Sequence, residues 1–143
     1  MARENLEFGT GALLQHCDLK TEDDLVLARA AIKLHSADMG FSKLNQTKIV
    51  TAASELGRNV LEHGLGGYLK IEEIDQHGRK GLRLVFEDSG PGIADMDLAL
   101  TDGYTSKKGL GLGLTGSKRL MDEFAIHSQP GEGTTVMVTK WAS

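Results

Sequence analysis

Apolar positions recur along this chain at two different periods, and the change between them outlines the elements. Leu25, Ala28, Ile32 and His35 follow one another at helical spacing, which places them on one face of a helix. Thr21 with Asp24 three positions on, and Glu22 and Asp23 between them, marks the start, with acids at the positive end of the dipole. Gly40 is the expected stop. Ser42 opens a second helix, expected to run to about His63 and to end at Gly64. Ile49, Ala52, Ala53, Leu56 and Val60 form its apolar arc.

β-rich runs then occupy residues 68–74 and 82–86, and the polar, glycine-containing stretch 75–81 joins them as a hairpin. A third helix is expected over residues 114–123. Two closing strands, 124–128 and 134–141, flank a turn rich in glycine and proline. Residues 6–19 read as an edge strand. Helices bunched early and late around antiparallel hairpins predict an α+β fold, a two-layer sandwich with helices on one face of a sheet.

Composition narrows the function. The 143 residues suit one domain over 1–143. Sixteen Lys and Arg against twenty Asp and Glu leave a net charge of −4, so nucleic acid is not the expected partner. No apolar run approaches the roughly 18 residues of a membrane helix, and the first residues lack the apolar core of a signal peptide, so a cytoplasmic protein is expected. Cys17 stands alone, which excludes an internal disulfide framework and a cysteine metal cluster. It reads as a small buried hydrophobe. Eighteen glycines beside two prolines are unusual, and their positions carry the chemistry.

Four places stand out. On the second helix, Thr51, Glu55, Asn59 and His63 follow at four-residue steps beside the apolar arc. Such a line is either a solvated flank or a carboxylate and a carboxamide one turn apart, able to take a proton and to ligate Mg²⁺. Glu87-Asp88-Ser89-Gly90-Pro91-Gly92-Ile93 leaves an acid at a strand end before a sharp turn. Its glycines also let a flat ligand approach the main chain. Lys107-Lys108-Gly109-Leu110-Gly111-Leu112-Gly113-Leu114 alternates glycines up to a helix start, the pattern of a phosphate cradle or of a hinge. It matches neither a Walker nor a dinucleotide fingerprint. Gly133-Thr134-Thr135 enters a strand whose inner hydroxyl can touch a base.

The order of these segments resembles the ATP-binding pattern of the GHKL superfamily of gyrase, Hsp90, histidine kinases and MutL. Ala53-Ser54-Glu55-Leu56-Gly57-Arg58-Asn59 and Lys118-Arg119-Leu120-Met121-Asp122-Glu123-Phe124 are similar to the anti-sigma-factor kinase branch. The resemblance implies a Bergerat fold, with a mixed, mostly antiparallel sheet, and ATP with Mg²⁺ as cofactors. It places Asn59 on the Mg²⁺ ion and Glu55 on the hydroxyl of the protein substrate. Asp88 takes the adenine amino group, with Thr135 (or Thr134) beside it. Gly90 and Gly92, next to Ile93, leave room for the base. Gly109, Gly111 and Gly113, with Leu110, Leu112 and Leu114 between and after them, wrap the phosphates in a lid reaching back to Gly103. Lys107 and Lys108 stand where a cation neutralises phosphate, a place the family does not reserve for lysine.

The implied activity is serine/threonine phosphorylation of STAS-domain scaffold or antagonist proteins in bacterial stress-signalling complexes (stressosomes). A downstream phosphatase or other output protein is the second partner. The alternative is an ATP-dependent anti-sigma factor that acts as a binding module. A two-component histidine kinase domain fits poorly, because no phosphoacceptor helix pair precedes the site.

Glycine-rich residues 101–113 should be cut readily at Lys107 and Lys108 until phosphate occupies the cradle. Limited trypsin digestion should therefore cleave there quickly without nucleotide and slowly with Mg·ATP. Equal rates at saturating nucleotide would make the glycines a hinge.

Overall fold

The computed structural model describes residues 11–91 and 114–142. Strand β1 (Ala12–Leu19) leads to helices α1 (Glu22–Asp38) and α2 (Lys43–Glu62), then to strands β2 (Gly67–Gln76) and β3 (Arg79–Asp88). After the undescribed stretch come α3 (Leu114–Leu120), β4 (Glu123–Gln129) and β5 (Gly133–Trp141). The strands lie in the order β1-β2-β3-β5-β4, so β1 is at an edge, as its weak pattern implied. Every pairing among the described residues is antiparallel, in the sheet expected to be mixed and mostly antiparallel.

The helices form where their caps are. Thr21 accepts from the Asp24 N–H at 3.1 Å, and the Asp24 carboxylate accepts from the Thr21 N–H at 3.2 Å. This reciprocal pair satisfies two of the donors that a helix start leaves open. Ser42 does the same for α2 through the Asn45 N–H, at 3.1 Å. The two helices run antiparallel, with Arg58 near the end of α2 reaching Glu22 at the start of α1 (3.7 Å). Both cover one face of the sheet, where Leu69, Ile71, Leu84, Phe86 and Val138 meet Leu25, Ile32, Ile49 and Leu56 in one core. The other face carries Tyr68, Glu72, Arg83 and Glu87, linked by Arg83–Glu72 (2.7 Å) and Tyr68–Glu87 (2.8 Å).

Two element boundaries differ from the sequence pattern. The polar run 75–81 is not a loop: pairing continues to Gln76 opposite Arg79. His77 and Gly78, with φ of 56° and 81°, make a two-residue turn. The charged residues that looked like loop pair across the strands, Lys80 with Glu73 and Asp75 at 3.2 Å each. Helix α3 stops at Leu120, three residues before the expected end. Strand β5 takes over there, since the Lys140 ammonium donates to Leu120 O (2.9 Å) and the Asp122 N–H to Thr139 O (2.9 Å). Asp122 in turn accepts the Trp141 N–H at 2.8 Å.

Thr21→Ala removes one arm of the α1 capping pair and leaves the other without its geometry. Stability should fall by about 1 kcal/mol, read as a lower urea midpoint with an unchanged slope. An unchanged midpoint would mean that the first turn of α1 is held by packing alone.

Candidate functional site

The site is assembled where the end of α2 meets the end of β3. Glu55 and Asn59 are four residues apart on α2, Glu55 exposed and Asn59 half-buried. The Asn59 carbonyl accepts from both the His63 N–H (2.9 Å) and the Gly64 N–H (3.0 Å), closing the helix. The chain then reverses through Leu65 and Gly66, both at positive φ. Leu65 is strained there, since its Cβ crowds the carbonyl in that region.

Gly64 is what lets β3 come close. A Cβ on Gly64 would lie 2.6 Å from Asp88 Oδ2, and one on Gly90 would lie 2.7 Å from the Gly64 Cα. Neither Gly64 nor Gly90 has a positive φ, so space alone demands glycine at both places. The Gly90 N–H donates to Asp88 Oδ1 at 2.9 Å and holds the carboxylate in one orientation. The turn before β5 is pinned to this loop, because the Gly131 N–H donates to Pro91 O at 2.7 Å. Gly133, at φ 84°, brings its strand against the backbone of Asp88 and Ser89.

The strand register decides which threonine stands beside Asp88. Opposed residues in an antiparallel pair point to the same face, and neighbours along a strand to opposite faces. Asp88 pairs with Thr134, and Glu87 pairs with Thr135. Asp88 lies on the helix side with Phe86 and Gly64, so Thr134 stands beside it. Thr135, the residue favoured from sequence, pairs with Glu87 and lies on the opposite face with Tyr68, 2% exposed. The Thr134 hydroxyl is held by Ser128 Oγ at 2.8 Å. Sequence reasoning missed Ser128 and Gly64. The Gly64 signal was present as a glycine at a helix end, read only as a stop, whereas Ser128 is visible only through the β4–β5 pairing.

Leu114 is buried and belongs to the core, and the Ser117 hydroxyl reaches Ala52 O at 3.5 Å, so α3 packs on the turn of α2 before Glu55. Gly92, Ile93, Gly103, Lys107, Lys108, Gly109, Leu110, Gly111, Leu112 and Gly113 lie outside the described residues. Half-buried Cys17 has its thiol pushed above its ordinary value by burial, then by the charges of Asp18 and Asp24.

This arrangement fits a purine nucleotide. An oriented carboxylate and a hydroxyl offer hydrogen bonds to an amino-bearing ring, and two side-chain-free backbones leave room for its plane. No group of three or more His, Cys, Asp or Glu suited to a metal ion occurs among the described residues. A single Asn oxygen suits Mg²⁺ shared with phosphate better than it suits a protein-only cage.

Residues 44–142 match the family described as Histidine kinase-, DNA gyrase B-, and HSP90-like ATPase. The serine/threonine-protein kinase RsbT of Bacillus subtilis (strain 168) is 43% identical over 123 residues, 86% of this chain and 92% of that protein. The anti-sigma F factor of Clostridium novyi (strain NT) is 33% identical over 121 residues, 79% of this chain and 82% of that one. A crystal structure of the RsbU and RsbW domains of Rv1364c from Mycobacterium tuberculosis aligns with TM-score 0.60 at 22% identity. The alignment covers 88% of this chain and 31% of that one, and it shows the shared fold.

Two substitutions test the Asp88–Gly64 contact. Asp88→Asn should weaken ATP binding by about 1.5–3 kcal/mol, about tenfold to a hundredfold. Gly64→Ala should weaken it about as much, by displacing the same carboxylate without touching ligand. Calorimetry showing wild-type affinity for both would remove this corner from the nucleotide site.

Proposed function

This chain belongs to the histidine kinase-, DNA gyrase B- and HSP90-like ATPases, and on that footing we propose that it is a protein serine/threonine kinase. The observation that carries the reading is its 43% identity, nearly end to end, with a protein kinase. The carboxylate of Glu55 one turn from Asn59 on a single rigid helix supports it. Asp88, Thr134 and Gly90 hold the adenine, and Asn59 is the side chain that holds Mg²⁺. Mg²⁺, when bound, would be held by Asn59 and would supply charge stabilisation to the phosphates. The substrate Ser or Thr oxygen attacks the γ-phosphorus as the bond to ADP breaks, and Glu55 orients that hydroxyl and takes its proton. Phosphoryl transfer asks for positioning and charge stabilisation, with no protein nucleophile. A rigid helix supplies the positioning.

The expected substrates are STAS-domain scaffold or antagonist proteins of a stress-signalling complex. Release from them frees the chain for a downstream phosphatase or other output protein. A location in the cytoplasm is consistent with the absence, among the described residues, of a helix long and apolar enough to cross a membrane. A second reading, an anti-sigma factor that grips a sigma factor under the control of ATP, is supported by relatives of that name. Phosphate transfer to a STAS-domain partner, against ATP-dependent capture of a sigma factor, separates the two.

Glu55→Gln and Asn59→Ala should fail in different ways. Glu55→Gln should keep Mg·ATP affinity and slow transfer by about a hundredfold to ten-thousandfold. Asn59→Ala should lose Mg²⁺-dependent nucleotide binding together with transfer. Normal binding and normal phosphorylation by both variants would make this edge of α2 a solvated flank.

A further inference from the structure

The outer seam between α1 and α2 holds a cavity of about 200 Å³ that the nucleotide site does not use. Lys33 of α1 lines it, with Lys43, Gln46, Thr47, Val50 and Thr51 of α2. Lys33 and Lys43 are exposed, and neither has an ion pair among the described residues. Beside the cavity α1 is apolar on its outer side as well as on its core side. Val26, Leu27 and Leu34 are 53%, 68% and 62% exposed. At about 100° per residue they form, with Ala30, a stripe opposite buried Leu25, Ala28 and Ile32.

Size and position say what would sit there. Small-molecule pockets run to about 300–1,000 Å³, so this cavity suits one side chain of a larger partner. It also opens on the flank that carries the chemistry, because Thr47, Thr51, Glu55 and Asn59 follow one another at four-residue steps. Thr51 and Thr47 therefore lie about 6 and 12 Å along the helix axis from Glu55. An extended chain covers that distance in about two to four residues.

We propose that the α1–α2 seam is the docking groove for the segment of the protein substrate that flanks its phosphorylated hydroxyl. The segment is extended and carries an aliphatic side chain for the cavity. It also carries one or more carboxylates for Lys33 and Lys43, about five or six residues from the accepting Ser or Thr, because Lys43 lies about 18 Å along α2 from Glu55. The inference rests on the kinase reading and adds the chemistry that the substrate must present. Charges at a rim act through encounter and salt dependence, so the groove selects the partner while Glu55 acts on it.

The test uses the full-length chain, radiolabelled ATP and a STAS-domain protein from the same genome. The double variant Lys33→Glu/Lys43→Glu should raise KM for the partner about tenfold and flatten its salt dependence. The kcat and the affinity for ATP should stay as in the wild type. Thr47→Trp, which fills the cavity without changing charge, should raise KM in the same way. Replacing an acid near the accepting residue of the partner by lysine should restore transfer by the charge-reversed kinase. Wild-type KM in both variants would overturn the groove and leave the kinase standing. No transfer by the wild-type chain would overturn the kinase reading, and the groove with it.

Discussion

The close approach of α2 to β3 is the contact on which the site depends. It exists because Gly64 and Gly90 have no side chains: the Asp88 carboxylate fills the space at Gly64, and Gly90 packs against the Gly64 backbone. A methyl group at either position would push the helix end away from the strand end. With the contact made, three elements share one corner. Asn59 is tied to Gly64 through its carbonyl, Asp88 lies against Gly64, and Thr134 stands opposite Asp88 in the sheet. A nucleotide held there spans a helix and a sheet whose relation is set by packed backbone, which suits chemistry that relies on positioning.

The two faces of the sheet divide the work. The helix side supplies the apolar core and, at one end, the site. The other side is polar, with Arg83–Glu72 and Tyr68–Glu87 bonded across neighbouring strands. Because side chains alternate along a strand, adjacent residues serve different layers. Glu87 and Thr135 face the polar network, while their neighbours Asp88 and Thr134 face the helix side. Helix α1 shows a comparable division, with one apolar side in the core and another turned outward.

Family membership gives the arrangement its chemistry without settling its biological output. One relative is named a serine/threonine-protein kinase and another an anti-sigma F factor. On the proposed reading both outputs use ATP at the same corner and differ in what is presented to it. On that reading the discriminating features lie outside the nucleotide pocket, and the surfaces of α1 and α2 beside Glu55 are where the proposed partner would differ.

Much of this was legible in the sequence because it is local. Caps at Thr21 and Ser42 and the helical period of both long helices act within a few residues, and they sit where the pattern placed them. The same holds for the line Glu55–Asn59 and the acid before Gly90, whose spacing is a property of one segment. Other features depended on partners distant in the chain. The length of the β2–β3 hairpin was hidden because charged residues look like loop until Lys80 finds Glu73 and Asp75 across the ladder. The end of α3 was set by Thr139 and Lys140, some twenty residues on. The choice between Thr134 and Thr135 turned on register, and a shift of one residue reverses every side chain in a strand. Gly64 read as a helix stop until β3 was seen against it. Sequence determined which residues have the right chemistry and local geometry; tertiary structure decided which of them meet, because facing and close approach are properties of pairs.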